Sequence, residues 1–193
     1  MKKRMWRRMQ RRRSTAGFTL LEMLVLMIMI GVLFAIAAPG WDALISRQRV
    51  STAREQVVQI IRQAQSDAKT SRMPRLVVFD PNATGIPRVA NIPYTPGTAL
   101  PVALNNVGNW QTLGNGDIKP RAIQLASTNP SQIVIENDGS IAQPPTVAAS
   151  QPTNFKVTIS RVNAPGDGTK RCAIVATLLG AIRQAEGSDC NIP

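Results

Sequence analysis

The residues of this chain with the types and spacing for chemistry are few, and they lie near its two ends. Glu22 is the single acid in a long apolar run, and Cys172 and Cys190 are the only cysteines. Histidine is absent, which removes the commonest general base and the commonest metal ligand. Two cysteines without histidine cannot complete a four-ligand zinc site. We therefore expect a protein that is not an enzyme and that has no cofactor and no metal site.

The positive charge is concentrated in the N-terminal tail. The chain of 193 residues has a formal net charge of +12, with 23 Lys and Arg residues against 11 acids. Eight of those basic residues lie in residues 1–17, which contain no acid, so the remainder carries a net charge of only +4. The high charge is therefore a property of the tail and not of the folded body.

An apolar run follows the basic tail, from Phe18 to Ala38. As a helix it would span about 32 Å, close to the thickness of a bilayer core. Apolar residues occupy every face of that helix, which indicates a membrane segment. Because the basic residues precede it, the positive-inside rule places the N-terminus in the cytoplasm and the rest of the chain in the periplasm.

Two ordinary interpretations of the apolar run leave Glu22 unexplained. One is a cleaved signal peptide, for which residues 35–37 (Ala-Ile-Ala) resemble a cleavage site. The other is a simple membrane anchor. An acid near the centre of an apolar span costs about 2.5–3.5 kcal/mol, less near its end, so a partner for the Glu22 carboxylate is expected.

A third interpretation accounts for Glu22. The sequence Gly-Phe-Thr-Leu-Leu-Glu at positions 17–22 resembles the cleavage and methylation motif of type IV prepilins and type II secretion pseudopilins. The resemblance implies that a prepilin peptidase cuts between Gly17 and Phe18 and methylates the new amine of Phe18. It also implies that Glu22 serves filament assembly by pairing with the Phe18 amine of a neighbouring subunit.

The resemblance extends along the first helix and defines the domain organisation. Gly31 and Pro39 match the glycine and proline that give pilin helices flexibility. We expect an α+β, pilin-like fold in which a long N-terminal helix packs on an antiparallel β-sheet domain. The expected segments are a cleaved leader (1–17), the membrane-spanning and assembly half of the helix (18–40), its amphipathic half (41–73) and a periplasmic β-rich domain (74–193).

Short apolar and β-branched runs predict the strands of the last segment. They are residues 75–80, 88–92, 102–104, 122–125, 132–136, 140–142, 155–161, 172–178 and 181–185. Residues 81–120 are rich in proline and glycine and predict a long irregular stretch. Its aromatic residues, Tyr94 and Trp110, are either contact residues or side chains that plug the core under the loop.

A looser resemblance points to two subgroups of this family. Residues 53–55, 64–68, 75–79, 133–140 and 175–183 are similar to blocks of the H-type minor pseudopilins and the T-type minor fimbrial pilins. The expected role is a structural subunit of a type II secretion pseudopilus or of a type IV pilus, held in the inner membrane and then in the filament. Its expected partners are the prepilin peptidase, other pilin or pseudopilin subunits, and the membrane.

Two further expectations concern the C-terminal domain. Disulfides persist in the periplasm, so Cys172 and Cys190 are expected to be linked, which would stabilise the fold by about 3 kcal/mol. DNA binding for uptake is the alternative function, and the candidate contacts are Arg161, Lys170, Arg171 and Arg183. Aromatic residues for base stacking are missing there, so exposed strand faces without a nucleic-acid partner are the favoured interpretation.

Overall fold

The computed structural model describes residues 17–82, 85–114, 116, 118–128, 131–142, 155–162, 166–176 and 179–191. Residues 1–16 of the expected leader lie outside these ranges. The chain divides into two units, residues 1–42 and residues 43–193. Helix α1 (Leu20–Ser71) contributes residues to both. In the described ranges every strand belongs to the second unit.

The start of α1 is capped locally. The Glu22 backbone N–H donates to Thr19 Oγ1 at 3.2 Å, so Thr19 is the N-cap and Glu22 the third helical residue. The spacing Thr19-x-x-Glu22 is also that of a capping box. A carboxylate in the first turn is favoured by the helix dipole. The helix dipole thus gives the Glu22 carboxylate a local reason to lie in the first turn.

The part of α1 in the second unit is amphipathic. A stripe of small and β-branched side chains at steps of three and four residues is almost fully buried: Val50, Ala53, Val57, Ile61, Ala64 and Ala68. Small residues in this stripe let the helix approach the sheets closely. The helix ends at Ser71, and Arg72 has a positive φ of 53° before Pro74.

Two antiparallel four-stranded sheets follow the helix in the described ranges. The first sheet contains β1 (Arg75–Asp80), β2 (Arg88–Pro93), β3 (Trp110–Thr112) and β5 (Gln132–Ile135), in the spatial order β3-β2-β1-β5. The second contains β4 (Ile123–Ser127), β6 (Phe155–Arg161), β7 (Arg171–Val175) and β8 (Ile182–Glu186), in the order β4-β6-β7-β8. Short 3₁₀ turns lie at Leu104–Asn106, Asp167–Thr169 and Gly187–Cys190.

The main core lies between α1 and the two sheets. One cluster of buried residues joins the helix stripe to both sheets, including Phe79 of β1 and Phe155 of β6. The two rings lie 5.4 Å apart, at a tilt of 36°. Since the chain has few aromatic residues, most of this core is aliphatic. The helix therefore positions both sheets through a single apolar core.

The expected α+β class with a long N-terminal helix and antiparallel strands is confirmed. The strands form two sheets, a division that periodicity along the chain does not reveal. Residues 102–104 were expected to be a strand, which is wrong: residues 104–106 form a 3₁₀ turn. The expected strand at 140–142 is reduced to a single bridge between Ile135 and Ile141. Strand β3 was not predicted, because three residues give too short a pattern.

The long irregular stretch packs on the outer face of the first sheet. Val107 is buried, and Tyr94, Val102 and Trp110 pack against Leu76 and its neighbours. The Gln132 side chain holds this stretch on the sheet: it accepts a hydrogen bond from the Val102 N–H at 2.9 Å and donates one to the Val102 carbonyl at 2.6 Å. Both aromatic side chains thus help to plug a satellite core.

Candidate functional site

The N-terminal motif lies at the exposed start of α1. Gly17 and Phe18 precede the helix, and the Phe18 side chain is 68% exposed. The bond between them is thus flanked by exposed residues. Glu22 follows one turn into the helix, and its side chain is also exposed. The motif residues therefore lie outside the folded core.

The helix immediately after the motif is apolar and unburied. Residues Leu20–Ala37 are long and apolar enough to cross a membrane by length and composition, and none of them is buried within the chain. Gly31 lies inside this stretch, where an added Cβ would meet nothing within 4 Å. The helical backbone continues through Pro39 within α1. A role for Gly31 and Pro39 in flexibility stays a prediction.

A charged network joins the helix to the second sheet. Arg54 is only 7% exposed, and its Nη1 lies 3.0 Å from Glu186 Oε1. Arg171 Nε lies 3.2 Å from the same oxygen. Arg171 and Glu186 are register partners on β7 and β8, which explains their meeting. The single carboxylate of Glu186 therefore holds two guanidinium groups and ties α1 to the sheet.

A second link joins α1 to two turns. The Gln65 side-chain amide donates to the carbonyl of Gly180 at 2.9 Å and to that of Gly139 at 3.4 Å. Gly180 lies between β7 and β8 with φ of +77°, a conformation that favours glycine. In the other turn, hydrogen bonds from the Ser140 side chain and backbone lower the pKa of Asp138. The Gln65 side chain thus links the helix to both turns.

The four basic residues proposed as DNA contacts do not share one face. Arg161 and Arg171 lie on the same side of the second sheet as Ile159 and Ala173, which pack toward α1. Arg183 is the register partner of Ile174, which belongs to the opposite face. Arg171 is engaged with Glu186, and Lys170 Nζ donates to Asn191 Oδ1 at 3.0 Å. The sheet therefore separates the charges that a phosphate-binding patch would require together.

The two cysteines are linked as expected. The disulfide Cys172–Cys190 ties β7 to the C-terminal 3₁₀ turn, and both residues are buried. Together with Ile174 and Ala185 they form a small apolar cluster on the outer face of the second sheet. The bond therefore holds the turn at Gly187–Cys190 against the second sheet. In the described ranges no group of three or more acidic or cysteine side chains is placed to hold a metal ion.

Sequence reasoning did not single out the residues that fasten the helix to the domain. Arg54 and Gln65 lie on a helix that also has exposed polar side chains such as Gln59 and Gln63, and Glu186 lies at the end of a strand. The periodicity of the helix places Arg54 outside the apolar stripe, whereas the structure buries it. Nothing in the local pattern identifies the partner, which is 132 residues away.

Comparisons with known proteins found similarity only in three-dimensional structure. No protein-family model matches the chain, and no curated protein matches it. A solved structure of the type IV minor pilin FimU of Pseudomonas aeruginosa PAO1 is similar, at 12% sequence identity and a TM-score of 0.48. The match covers 74% of this chain and 92% of that one. A second crystal form of FimU gives 13% identity, 72% and 94% coverage and a TM-score of 0.44.

The minor pseudopilin EpsH from the type 2 secretion system of Vibrio cholerae is also similar in structure. Its sequence identity is 14%, the match covers 72% of this chain and 97% of that one, and the TM-score is 0.44. These structures are minor pilins and a minor pseudopilin, the class named by the sequence resemblance. At these identities and scores no residue role is transferred, so the functional argument rests on this chain's own residues.

Proposed function

We propose that this protein is a minor pilin or pseudopilin, a structural subunit that is cut after Gly17 and assembled into a filament through its apolar helix. One observation carries the proposal. The Gly17-Phe18 bond lies directly before a helix that has a single acid at Glu22 and no buried residue from Leu20 to Ala37. A processing motif, an acid and an unburied apolar helix occur together at one end of the chain.

The unburied helix requires an apolar environment. Large side chains such as Leu20, Phe34 and Ile36 are each at least 70% exposed within the chain. Apolar surface of this extent is covered in a working protein by lipid or by other proteins. A pilin-class subunit uses both in turn: lipid before assembly and sister helices afterwards. The same apolar surface therefore accounts for both states of the subunit, the one in the membrane and the one in the filament.

Cleavage would change the electrostatics of this helix. Removal of residues 1–17 takes away eight basic residues and leaves a single new amine on Phe18. That amine and the Glu22 carboxylate are opposite charges that neither lipid nor an apolar filament core solvates well. Pairing the amine of one subunit with Glu22 of its neighbour removes both costs. The acid then favours assembly over the free subunit in the membrane.

The remainder of the chain fits a domain on the periplasmic side. Its disulfide, Cys172–Cys190, suits an oxidising compartment. The partners in this proposal are the prepilin peptidase, other pilin or pseudopilin subunits and the inner membrane. The filament is a type II secretion pseudopilus or a type IV pilus.

The test is the mass of the mature N-terminus of protein isolated from membranes of its native host. We expect a chain that begins with N-methylated Phe18. A Gly17→Val variant serves as the control, because a Cβ at Gly17 meets nothing within 4 Å in the described part of the chain and a branched side chain beside the scissile bond should block the cut. A chain that begins at Ala38, as after signal-peptide cleavage, or that retains Met1, would contradict the proposal.

A further inference from the structure

A groove of about 460 Å³ runs between α1 and strand β3. From the helix it is lined by Gln56, Gln59 and Gln63, and from the strand by consecutive residues that include Trp110 to Thr112. Alternate side chains of a strand point to opposite faces of the sheet. A groove that touches all of them therefore follows the free edge of the strand, because β3 ends its sheet.

The hydrogen bonds between β3 and its neighbour β2 show which backbone groups of β3 face this groove. The Leu113 N–H donates to the Pro87 carbonyl on the β2 side at 3.0 Å. In an antiparallel pair every second residue points toward the same neighbour, so Gln111 also faces β2. The N–H and C=O groups of Trp110 and Thr112 therefore point away from β2. In the described ranges no turn, loop or cap hydrogen bond uses them.

The surroundings of this edge favour an uncharged polypeptide backbone as ligand. The lining residues are uncharged, and the side-chain amides of the glutamines among them both donate and accept hydrogen bonds, as a peptide group does. Within the chain, the Gln56 side chain already binds a backbone group in this way, because its amide oxygen accepts a hydrogen bond from the Gly114 N–H at 2.5 Å. Strand β3 is a short edge strand of three residues and carries neither Lys nor Pro.

We propose that this groove holds an extended, uncharged segment of a neighbouring filament subunit, which pairs with β3 as an added strand of the first sheet. The inference rests on the proposed filament role. The backbone groups of Trp110 and Thr112 supply up to four hydrogen bonds to the added strand. The exposed amides of Gln59 and Gln63 bind the strand's other edge. Contact between subunits then includes the domain as well as the apolar helix.

The experiment uses the full chain in detergent micelles and an end-blocked pentapeptide of alternating threonine and valine as probe. Amide hydrogen exchange, measured by NMR, should slow by about tenfold at Trp110 and Thr112 when the peptide is present at millimolar concentration. The same peptide with alternate N-methyl groups has lost its donors and should have no effect. Equal effects of the two peptides, or none from either, would overturn the proposal.

A Thr112→Pro variant removes one outward N–H and leaves the bonds to β2 in place, so it should fold and lose the peptide effect. Gln184→Pro is the matched control. Gln184 is exposed on β8. The Ala176 N–H donates to the Ala181 carbonyl, and with the register of β7 and β8 this bond shows that the backbone N–H of Gln184 also points away from the sheet. The Gln184→Pro chain should retain the effect at β3. Loss of the effect in both variants would overturn the proposal.

Incorporation into filaments separates this inference from the proposed function. The Thr112→Pro chain should be cut and methylated normally but should enter filaments several-fold less than the Gln184→Pro chain. Normal processing with equal incorporation of both would refute the edge pairing and leave the proposed function intact. A concentration-dependent dimer of the purified wild-type chain that Thr112→Pro abolishes would instead identify a second copy as the occupant, against the proposal.

Discussion

Glu22 has one role that the structure shows and one that we propose, and a substitution separates them. Its backbone N–H bonds Thr19 in the helix cap, and its carboxylate lies in the first turn of the helix. The first role needs only the backbone, whereas pairing with a neighbouring amine needs the charge. The carboxylate is therefore the part of the residue that filament assembly would use.

Replacement of Glu22 by Val should leave the protein in the membrane, because the helix becomes more apolar. Cleavage should continue, because Gly17 and Phe18 are unchanged. Incorporation into filaments should fall at least about tenfold, since the Phe18 amine of a neighbour loses its partner. Immunoblots of sheared filaments and membranes measure this. Glu22→Asp keeps the charge and is the control; normal incorporation of Glu22→Val would assign the carboxylate another role.

Glu186 makes the ionic contact between the helix and the second sheet. Its Oε1 lies within 3.2 Å of both Arg54 and Arg171, and Arg54 is buried. Glu186→Gln would leave a buried guanidinium without its counter-charge. We expect destabilisation of about 1–3 kcal/mol, at the lower end because the Glu186 side chain is half-exposed.

Thermal unfolding of the purified chain measures the Glu186 effect. Glu55→Gln is the control, because Glu55 lies 4.0 Å from Arg54 and is 66% exposed, and it should change stability by less than about 0.5 kcal/mol. Addition of Arg54→Met to Glu186→Gln should restore part of the loss by removing the unpaired charge. Equal melting temperatures for wild type and Glu186→Gln would show that the network contributes nothing to stability.

At the scale of elements, the turn between β7 and β8 is fitted to the helix. A Cβ on Gly180 would collide with the Gln65 amide and lie 3.1 Å from the Gly139 carbonyl. The residue also has φ of +77°, which strains any L-residue with a side chain. The hairpin and the helix therefore constrain each other at this point.

Gly180→Ala should lower the free energy of unfolding by about 1–3 kcal/mol, through backbone strain and loss of the Gln65 hydrogen bonds. Urea denaturation of the purified chain gives this value. Gly168→Ala is the matched control, since nothing lies within 4 Å of a Cβ there, and its effect should stay within about 0.5 kcal/mol. If both variants unfold at the same urea concentration, the proposed fit of turn and helix is incorrect.

At the scale of the whole molecule, the charge distribution opposes a nucleic-acid function. The net charge of +4 beyond residue 17 is modest, and the sheet divides Arg171 from Arg183. Nonspecific DNA affinity arises from counterion release by clustered basic side chains. The folded body lacks such a cluster among the four residues considered.

The mature chain in detergent should therefore bind duplex DNA only weakly and only at low salt. A variant with Gln at positions 161, 170, 171 and 183 should bind as weakly as wild type. Fluorescence anisotropy over a salt series measures this, and circular dichroism checks the fold of the variant, which loses the Arg171–Glu186 pair. Tight wild-type binding at physiological salt that the variant loses would make DNA capture the leading function.

The sequence by itself determined the features that depend on local order. Hydropathy marks the apolar helix, β-branched runs mark strands such as β1 and β6, and the spacing of Gly17, Phe18 and Glu22 is that of the proposed processing motif. The class and much of the proposed function follow from these, because each depends on residues a few positions apart.

Only the tertiary structure decided what depends on distant residues. Four features depend on residues far apart in the chain. They are the division into two sheets, the carboxylate of Glu186 shared by two arginines, the position of the Gln65 amide and the open edge of β3. Local patterns carry no information on such pairs, since a charged or amide side chain on a helix suits solvent equally well. The packing of α1 against both sheets selects the partners.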